Sequence, residues 1–199
     1  IMERAPRRDT REYPDVVYGA LNSGCLRAPL AVIHLLEGLH AHFSYLDERV
    51  KALTKELEGQ VAGDDLATRL MTIPSIGPIT SSALAASIGD GKQFKCGRDY
   101  AASIGLVPRQ HSTGGRAKLL GISKRGDRNQ RRLLVQCGHV FINSLERQTG
   151  KLAQWVRGLL TRHHPNVVVC ALANKLARIA WAVAYSHKEY EAGSDVINA

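Results

Sequence analysis

The stretch LATRLMTIPSIGPITSSALAASIGD, residues 66–90, is the part of the 199-residue chain that decides its fold class. A short apolar segment ends at Ile73, and a second runs to Ile88, with two prolines and Gly77 between them. This pattern predicts two helices joined by a tight turn, as in helix-hairpin-helix motifs. In such motifs glycine lets the backbone approach a phosphate, toward which the first N–H groups of the second helix point. An ordinary helix–helix corner is the alternative.

Upstream of this stretch, an apolar heptad pattern predicts one long helix over residues 29–63. The apolar positions alternate between spacings of four and three residues: Val32, Leu36, Leu39, Phe43, Leu46, Val50, Leu53 and Leu57. A dimerising coiled coil and a long helix packed within its own domain both remain open. Residues 1–28, rich in Arg and Pro, are interpreted as a linker or N-terminal extension.

Downstream, the apolar periodicity predicts further helices and no convincing strand. They are expected over residues 94–104, 128–145, 152–163 and 166–186, within a compact helical domain spanning residues 64–199. The predicted fold class is therefore all-α, a long heptad (coiled-coil) helix followed by a compact domain with a helix-hairpin-helix-like motif.

The positive charge of the chain is concentrated in one window. The chain has 27 Lys and Arg against 18 Asp and Glu, a formal +9. Residues 108–132 contain one acid, Asp127, and eight basic residues: Arg109, Arg116, Lys118, Lys124, Arg125, Arg128, Arg131 and Arg132. Charge clustered in this way indicates a polyanionic partner such as DNA, and argues against a purely structural dimerisation unit.

Residues 109–127 hold four glycines without a sustained apolar period and are expected to form a long loop that grips phosphates. Ser112, beside His111, could attack a phosphodiester if a base activates it and cations stabilise the transition state. A serine that merely shapes a turn is the alternative interpretation.

Metal and membrane functions are not indicated. The cysteines (Cys25, Cys96, Cys137 and Cys170) lie far apart, and no pair of carboxylates is spaced to hold Mg²⁺. No apolar run is long enough for a membrane span, and no signal peptide is recognisable. We therefore expect no metal site and no membrane partner.

Several motifs in their order along the chain resemble the C-terminal transposase domain of bacterial insertion-sequence family 110, with its relatives 116 and 902 and the Piv-type DNA invertases. The resemblance covers about residues 66–185. It is carried by Ile73–Pro78, Ala83–Leu84, Ile88–Asp90, Phe94, Ala101–Ala102, Gly105–Arg109, Ser112–Gly115, Gly121–Gly126 and Arg131–Leu134.

The resemblance implies that Ser112 is the nucleophile that links covalently to DNA, with Thr113 where many relatives have a second serine. It also implies an N-terminal RuvC-like domain that binds Mg²⁺, and for several members a structured guide RNA. No RuvC-like region is present here and the chain begins at Ile1, so we expect a fragment that is inactive alone.

On this basis the nucleic-acid-binding residues are expected to be Gly77 and the eight basic residues of the 108–132 window. The partners would be DNA, a guide RNA and a second copy or more of the chain, in the bacterial cytoplasm at the nucleoid. A non-catalytic helix-hairpin-helix DNA-binding or architectural module is the alternative function.

Overall fold

A computed structural model describes residues 19, 29–113 and 116–192, with the backbone alone for residues 112–113 and 116–119. Within residues 29–192, the described part forms seven α-helices, a 3₁₀ turn at Leu145–Arg147 and two strands. The elements are α1 (Leu30–Ala62), α2 (Asp65–Met71), α3 (Pro78–Ile88), α4 (Gly97–Ser103), β1 (Pro108–Thr113), β2 (Arg116–Ile122), α5 (Arg128–Asn143), α6 (Lys151–Leu160) and α7 (Pro165–Ser186). The predicted all-α fold class is confirmed, since the described part is mostly helical with a small two-stranded sheet. The proposed extension at residues 1–28 lies almost wholly outside the described residues.

The predicted long helix is confirmed as α1, and the chain divides into two compact units, residues 1–56 and 57–199. In the first unit, the apolar heptad side chains of α1 other than the half-buried Leu36 are exposed, from 37% for Phe43 to 60% for Val50. In the second unit, Val61 is buried in the hydrophobic core and Leu57 packs against that core. The pairing of α1 into a coiled coil stays a prediction.

The core of the second unit is built around α7. Its side chains Leu172, Leu176 and Ile179 are at most 2% exposed. Helices α4 and α5 cross it closely at glycines, since a Cβ at Gly97 would lie 3.2 Å from the Arg178 backbone and one at Gly138 would lie 3.1 Å from the Val169 carbonyl oxygen. By length and composition alone α7 could cross a membrane, but 67% of its apolar window is buried inside the protein, as expected of a core helix.

The sequence predicts a loop over residues 109–127, but the described residues 108–113 and 116–122 form the antiparallel strands β1 and β2 of a hairpin. The prediction that no strand occurs was therefore wrong. Gly114-Gly115, which lies between the strands and outside the described residues, is a recognised two-residue hairpin signal. Strands are usually recognised by apolar residues at alternate positions. Basic residues occupy such positions here, so the pattern that would have predicted the strands is absent.

Two backbone segments touch each other at the base of the hairpin. Gly105 has φ +74° and Gly126 has φ +91°, a left-handed region that favours glycine. A Cβ at Gly105 would collide with the backbone of Arg125, and a Cβ at Gly126 would collide with the carbonyl of Ser103. These two glycines therefore bring the end of α4 and the entry to α5 into direct backbone contact.

Replacing Gly126 with Ala should destabilise the second unit by about 2–4 kcal/mol, because the new methyl group meets backbone and the positive φ is strained. Urea unfolding followed by circular dichroism measures the loss. The matched control is Gly158→Ala in α6, where a Cβ meets open space, and it should be neutral or stabilising by up to about 1 kcal/mol. Equal unfolding midpoints for the two variants would contradict the close backbone contact.

Candidate nucleic-acid interface

The hairpin carries the serine that the sequence singled out. Ser112 pairs with Ala117 across the two strands, and Thr113 pairs with Arg116. The register shifts between Pro108 and Gln110, so Arg109 lies at an irregularity of the ladder. Such bulges bend a strand, and they are frequent beside functional sites because they redirect a side chain.

Backbone hydrogen bonds fasten the hairpin to the helical core. The Ser123 amide donates to the Val107 carbonyl at 2.8 Å, and the Lys124 amide donates to the Gly105 carbonyl at 3.1 Å. Lys124 itself has φ +57°, so its backbone is held in the left-handed region. From α7, the Asn174 side-chain amide donates to the Leu106 carbonyl at 3.3 Å. The base of the hairpin is thus held from both of its strands and from α7.

A partly buried relay of hydrogen bonds between Tyr100, Gln130 and Asp127 fixes the start of α5. Asp127 caps the helix by accepting hydrogen bonds from the amides of Asn129 at 2.7 Å and Gln130 at 3.1 Å. The Gln130 side-chain amide donates to Asp127 at 3.1 Å, while its oxygen accepts from the Tyr100 hydroxyl at 2.9 Å. Burial, and secondarily the negative charge of Asp127, raise the pKa of Tyr100 well above its ordinary value.

The predicted cationic residues fall into three groups. Five have exposed side chains: Arg109 in β1, Lys124 and Arg125 in the turn after β2, and Arg128 and Arg132 on α5. Arg116 and Lys118 belong to β2, where only the backbone is described. Arg131 is half-buried, and its guanidinium donates to the Ile104 carbonyl at 2.9 Å. Arg131 therefore binds α4 to α5, whatever part it has in binding a ligand.

The predicted helix-hairpin-helix turn is formed differently from expectation. Gly77 is the N-cap of α3 with φ −104°, a conformation open to other residues. The left-handed residue of the turn is Ser75, at φ 69°. Ile79, in the first turn of α3, is 60% exposed. Phosphate binding by this turn stays a prediction.

The structure adds basic residues that the sequence interpretation missed. A cavity of about 910 Å³ beside the base of the hairpin is lined by Arg109 and Lys124 together with Arg98, Lys175 and Arg178. Lys175 lies over the Trp155 ring, 4.5 Å from its centroid. Burial, and then the charge of Arg178, lower the pKa of Lys175. A sequence signal for two of these residues does exist: Lys175 and Arg178 are the basic residues within the largely apolar sequence of α7.

Metal ligation is not indicated by the described part of the chain. Within residues 29–113 and 116–192, no three His, Cys, Asp or Glu side chains come together as a metal-binding group. The free thiols described are Cys137, which is buried, and the partly exposed Cys96 and Cys170. The expectation that this chain holds no metal stays a prediction.

In the described residues, a hairpin flanked by exposed cations is thus fastened to a helical core. Residues 67–154 match the Transposase IS116/IS110/IS902 family. The chain belongs to this transposase family.

Individual relatives are consistent with this assignment. The chain is 59% identical over 155 residues to the transposase for insertion sequence element IS1328 of Yersinia enterocolitica, a match covering 78% of this chain and 46% of the relative. It is 36% identical over 160 residues to the transposase for insertion sequence element IS1111A of Coxiella burnetii, covering 80% and 44%. A pilin gene-inverting protein of Moraxella bovis is 44% identical over 48 residues, 24% of this chain and 15% of that protein. The chain thus spans less than half the length of these relatives.

The raised pKa of Tyr100 predicts a loss of stability at alkaline pH. The folded state keeps the phenol neutral, so the stabilisation is complete below the ordinary pKa of 10.0 and is lost as pH rises through the higher folded value. Unfolding free energies measured by urea titration from about pH 9 to 11.5 should fall less steeply for Tyr100→Phe, by up to about 1.4 kcal/mol per pH unit.

The same variant should be about 1–3 kcal/mol less stable at neutral pH, because the buried Gln130 oxygen loses its donor. Tyr185→Phe is the matched control for removal of a tyrosine hydroxyl, since that ring is 54% exposed. Identical slopes for Tyr100→Phe and the unaltered protein would mean that Tyr100 ionises as freely in the folded state as in the unfolded chain.

Proposed function

We propose that this chain is the DNA-handling part of a transposase or site-specific recombinase, and that Ser112 is the nucleophile for strand cleavage and exchange. The observation that carries the proposal is the hairpin: Ser112 lies on a strand whose base is hydrogen-bonded to the core and flanked by exposed cations. Membership of a transposase family and similarity to a gene-inverting protein support the same reaction class.

Electrostatics support DNA as the ligand. Four exposed cations lie within twenty residues of chain, one in β1 and three after β2: Arg109, Lys124, Arg125 and Arg128. Asp127, the acid between them, is engaged in capping α5, where its carboxylate accepts three hydrogen bonds. Phosphates would relieve the mutual repulsion of these cations and release counterions from the nucleic acid.

In the proposed reaction the Ser112 hydroxyl oxygen attacks phosphorus, and a serine–phosphate ester forms as a bridging P–O bond of the strand breaks. The serine proton passes to a base, and the departing strand oxygen is protonated. Nearby guanidinium and ammonium groups would stabilise the charge that develops on the phosphoryl oxygens. A fixed strand suits this role because a nucleophile must be held close to in-line geometry.

The proposal includes partners that this chain does not contain. Mg²⁺ would be bound by a RuvC-like domain, and the described residues of this chain offer no cluster of ligands for it. A guide RNA would share the cationic surface with DNA. Self-association would use the exposed apolar positions of α1, such as Leu39, Leu46 and Leu53. The protein would act in the bacterial cytoplasm, at the nucleoid.

Binding to duplex DNA should depend steeply on salt, and removal of two cations beside the hairpin should reduce that dependence. For Arg125→Gln combined with Arg128→Gln, the slope of log K against log salt should be less steep by about 1.8, since each phosphate contact contributes about 0.9. Fluorescence anisotropy across a salt series measures the slope. Lys95→Gln combined with Lys188→Gln removes the same charge from exposed positions elsewhere and should leave the slope unchanged. If the two double variants behave alike, the hairpin is not the binding surface.

Replacing Ser112 with Ala should abolish strand exchange when the chain is joined to a RuvC-like domain, because the attacking oxygen is removed. DNA affinity should change by less than about twofold, since a single hydroxyl contributes little beside several phosphate contacts. Strand exchange is measured on supercoiled plasmid, and the covalent intermediate is trapped as an adduct that resists denaturant. Ser123→Ala is the matched control.

An active Ser112→Ala protein, or an adduct that persists in it, would remove Ser112 from the mechanism. Undiminished DNA binding with no adduct in the unaltered protein would favour the alternative function, a non-catalytic DNA-binding module.

A further inference from the structure

The cavity beside the hairpin has walls of two chemical kinds. Leu106, only 2% exposed, and the half-buried ring of Trp155 contribute apolar surface. Leu120 and Val167, which are 38% and 56% exposed, add apolar surface nearer the solvent. Basic side chains from α4, the hairpin and α7 complete the lining. All of these residues belong to one compact unit, so the cavity does not depend on the position of α1.

The charge of the lining has one sign. Five basic side chains and no Asp or Glu are among the described residues that line the cavity. Arg98, Arg109 and Lys124 are exposed, whereas Lys175 is half-buried against Trp155. Burial, and secondarily the charge of Arg178, lower the pKa of Lys175 in this lining. An occupant that carries negative charge beside an apolar, planar group would satisfy both kinds of wall.

We propose that this cavity receives one unstacked nucleotide of a bound strand, with its base against the apolar wall and its flanking phosphates at the exposed cations. The inference rests on the proposed function in one respect, that the chain binds nucleic acid. A volume of about 910 Å³ is within the range of small-molecule sites and accommodates a nucleotide, whereas a base within a duplex keeps its faces stacked and out of reach.

The cavity also lies at the base of the hairpin that carries Ser112. Arg109 and Lys124 line it and at the same time flank the base of the hairpin that carries Ser112. The Leu106 carbonyl and the Asn174 amide, which tie α7 to the start of β1, are on residues of the same lining. A nucleotide held there would position the adjoining backbone relative to the hairpin, so the site is a positioning site for the strand and not a second catalytic centre.

The test compares ligands that share phosphates but differ in their bases. The 199-residue chain is titrated with a single strand of about eight nucleotides, with an abasic strand of the same length, with a matched duplex and with adenosine monophosphate. The normal single strand should bind about tenfold more tightly than the abasic strand, because contact of a base with an aromatic side chain is lost in the latter. The monophosphate should bind far more weakly than either strand, since it lacks the neighbouring phosphates.

A variant that fills the mouth of the cavity tests whether the base binds there. Val167→Trp adds bulk at an exposed position of the lining and should reduce the tenfold preference to less than about twofold, while duplex affinity is retained. The matched control is Val140→Trp on α5, where the original side chain is 46% exposed and outside this cavity. The control should keep the full preference for the strand with bases.

Tryptophan fluorescence gives an independent reading, because the chain has only two tryptophans. Trp181 is 7% exposed, and its indole N–H donates to the Gly91 carbonyl at 3.0 Å, so it should not respond to a ligand in the cavity. Binding of the normal strand should quench the emission of Trp155. Trp155→Phe should remove this response, and the abasic strand should not produce it.

The inference would be overturned by equal affinity for the normal and abasic strands, or by an unchanged preference in Val167→Trp. The proposed function would remain intact in either case if the duplex still binds with steep salt dependence. Adenosine monophosphate binding as tightly as the strand would assign the cavity to a free nucleotide and would also overturn it. Failure of every nucleic acid to bind would overturn both proposals.

Discussion

The contact between two backbone segments, one ending α4 and the other entering α5, is the constraint on which the candidate site depends. Gly105 lies so close to the Arg125 backbone, and Gly126 so close to the Ser103 carbonyl, that neither has room for a Cβ, and each adopts a positive φ. Backbone hydrogen bonds from Ser123 and Lys124 continue this contact into the hairpin. Packing of uncharged backbone thus fixes the segments that carry Arg109, Lys124 and Arg125.

The helical core supports this arrangement from behind. The relay of Tyr100, Gln130 and Asp127 satisfies buried polar atoms and sets the first turn of α5 against α4. The Arg131 guanidinium reinforces the same junction through the Ile104 carbonyl. Helix α7 contributes on both sides, because its apolar face forms the core while Lys175 and Arg178 reach the cavity. Helix α7 therefore supplies both core residues and basic residues of the cavity lining.

Much of the fold could be predicted from local pattern. The heptad spacing predicted α1, and proline and glycine punctuation predicted α3 and the start of α7 closely. The helix expected over residues 94–104 is shorter, Gly97–Ser103, since Cys96 is extended at its N-cap. The hairpin was missed because its strands lack apolar alternation. The cationic window predicted Arg109 and Lys124 as site residues, but Arg98, Lys175 and Arg178 join them only through long-range packing.

The sequence by itself determined the helical class, the clustering of positive charge and the resemblance to the family, and it singled out Ser112 as a candidate. Each of these depends on short motifs whose residues are near one another along the chain. Only the tertiary structure decided that the basic segment is a hairpin, that Arg131 is used to bind α4 to α5, and that α4, α6 and α7 enclose a cationic cavity at its base. The physical reason is distance along the chain: pairing of strands and packing of helices depend on contacts between residues that no local periodicity relates.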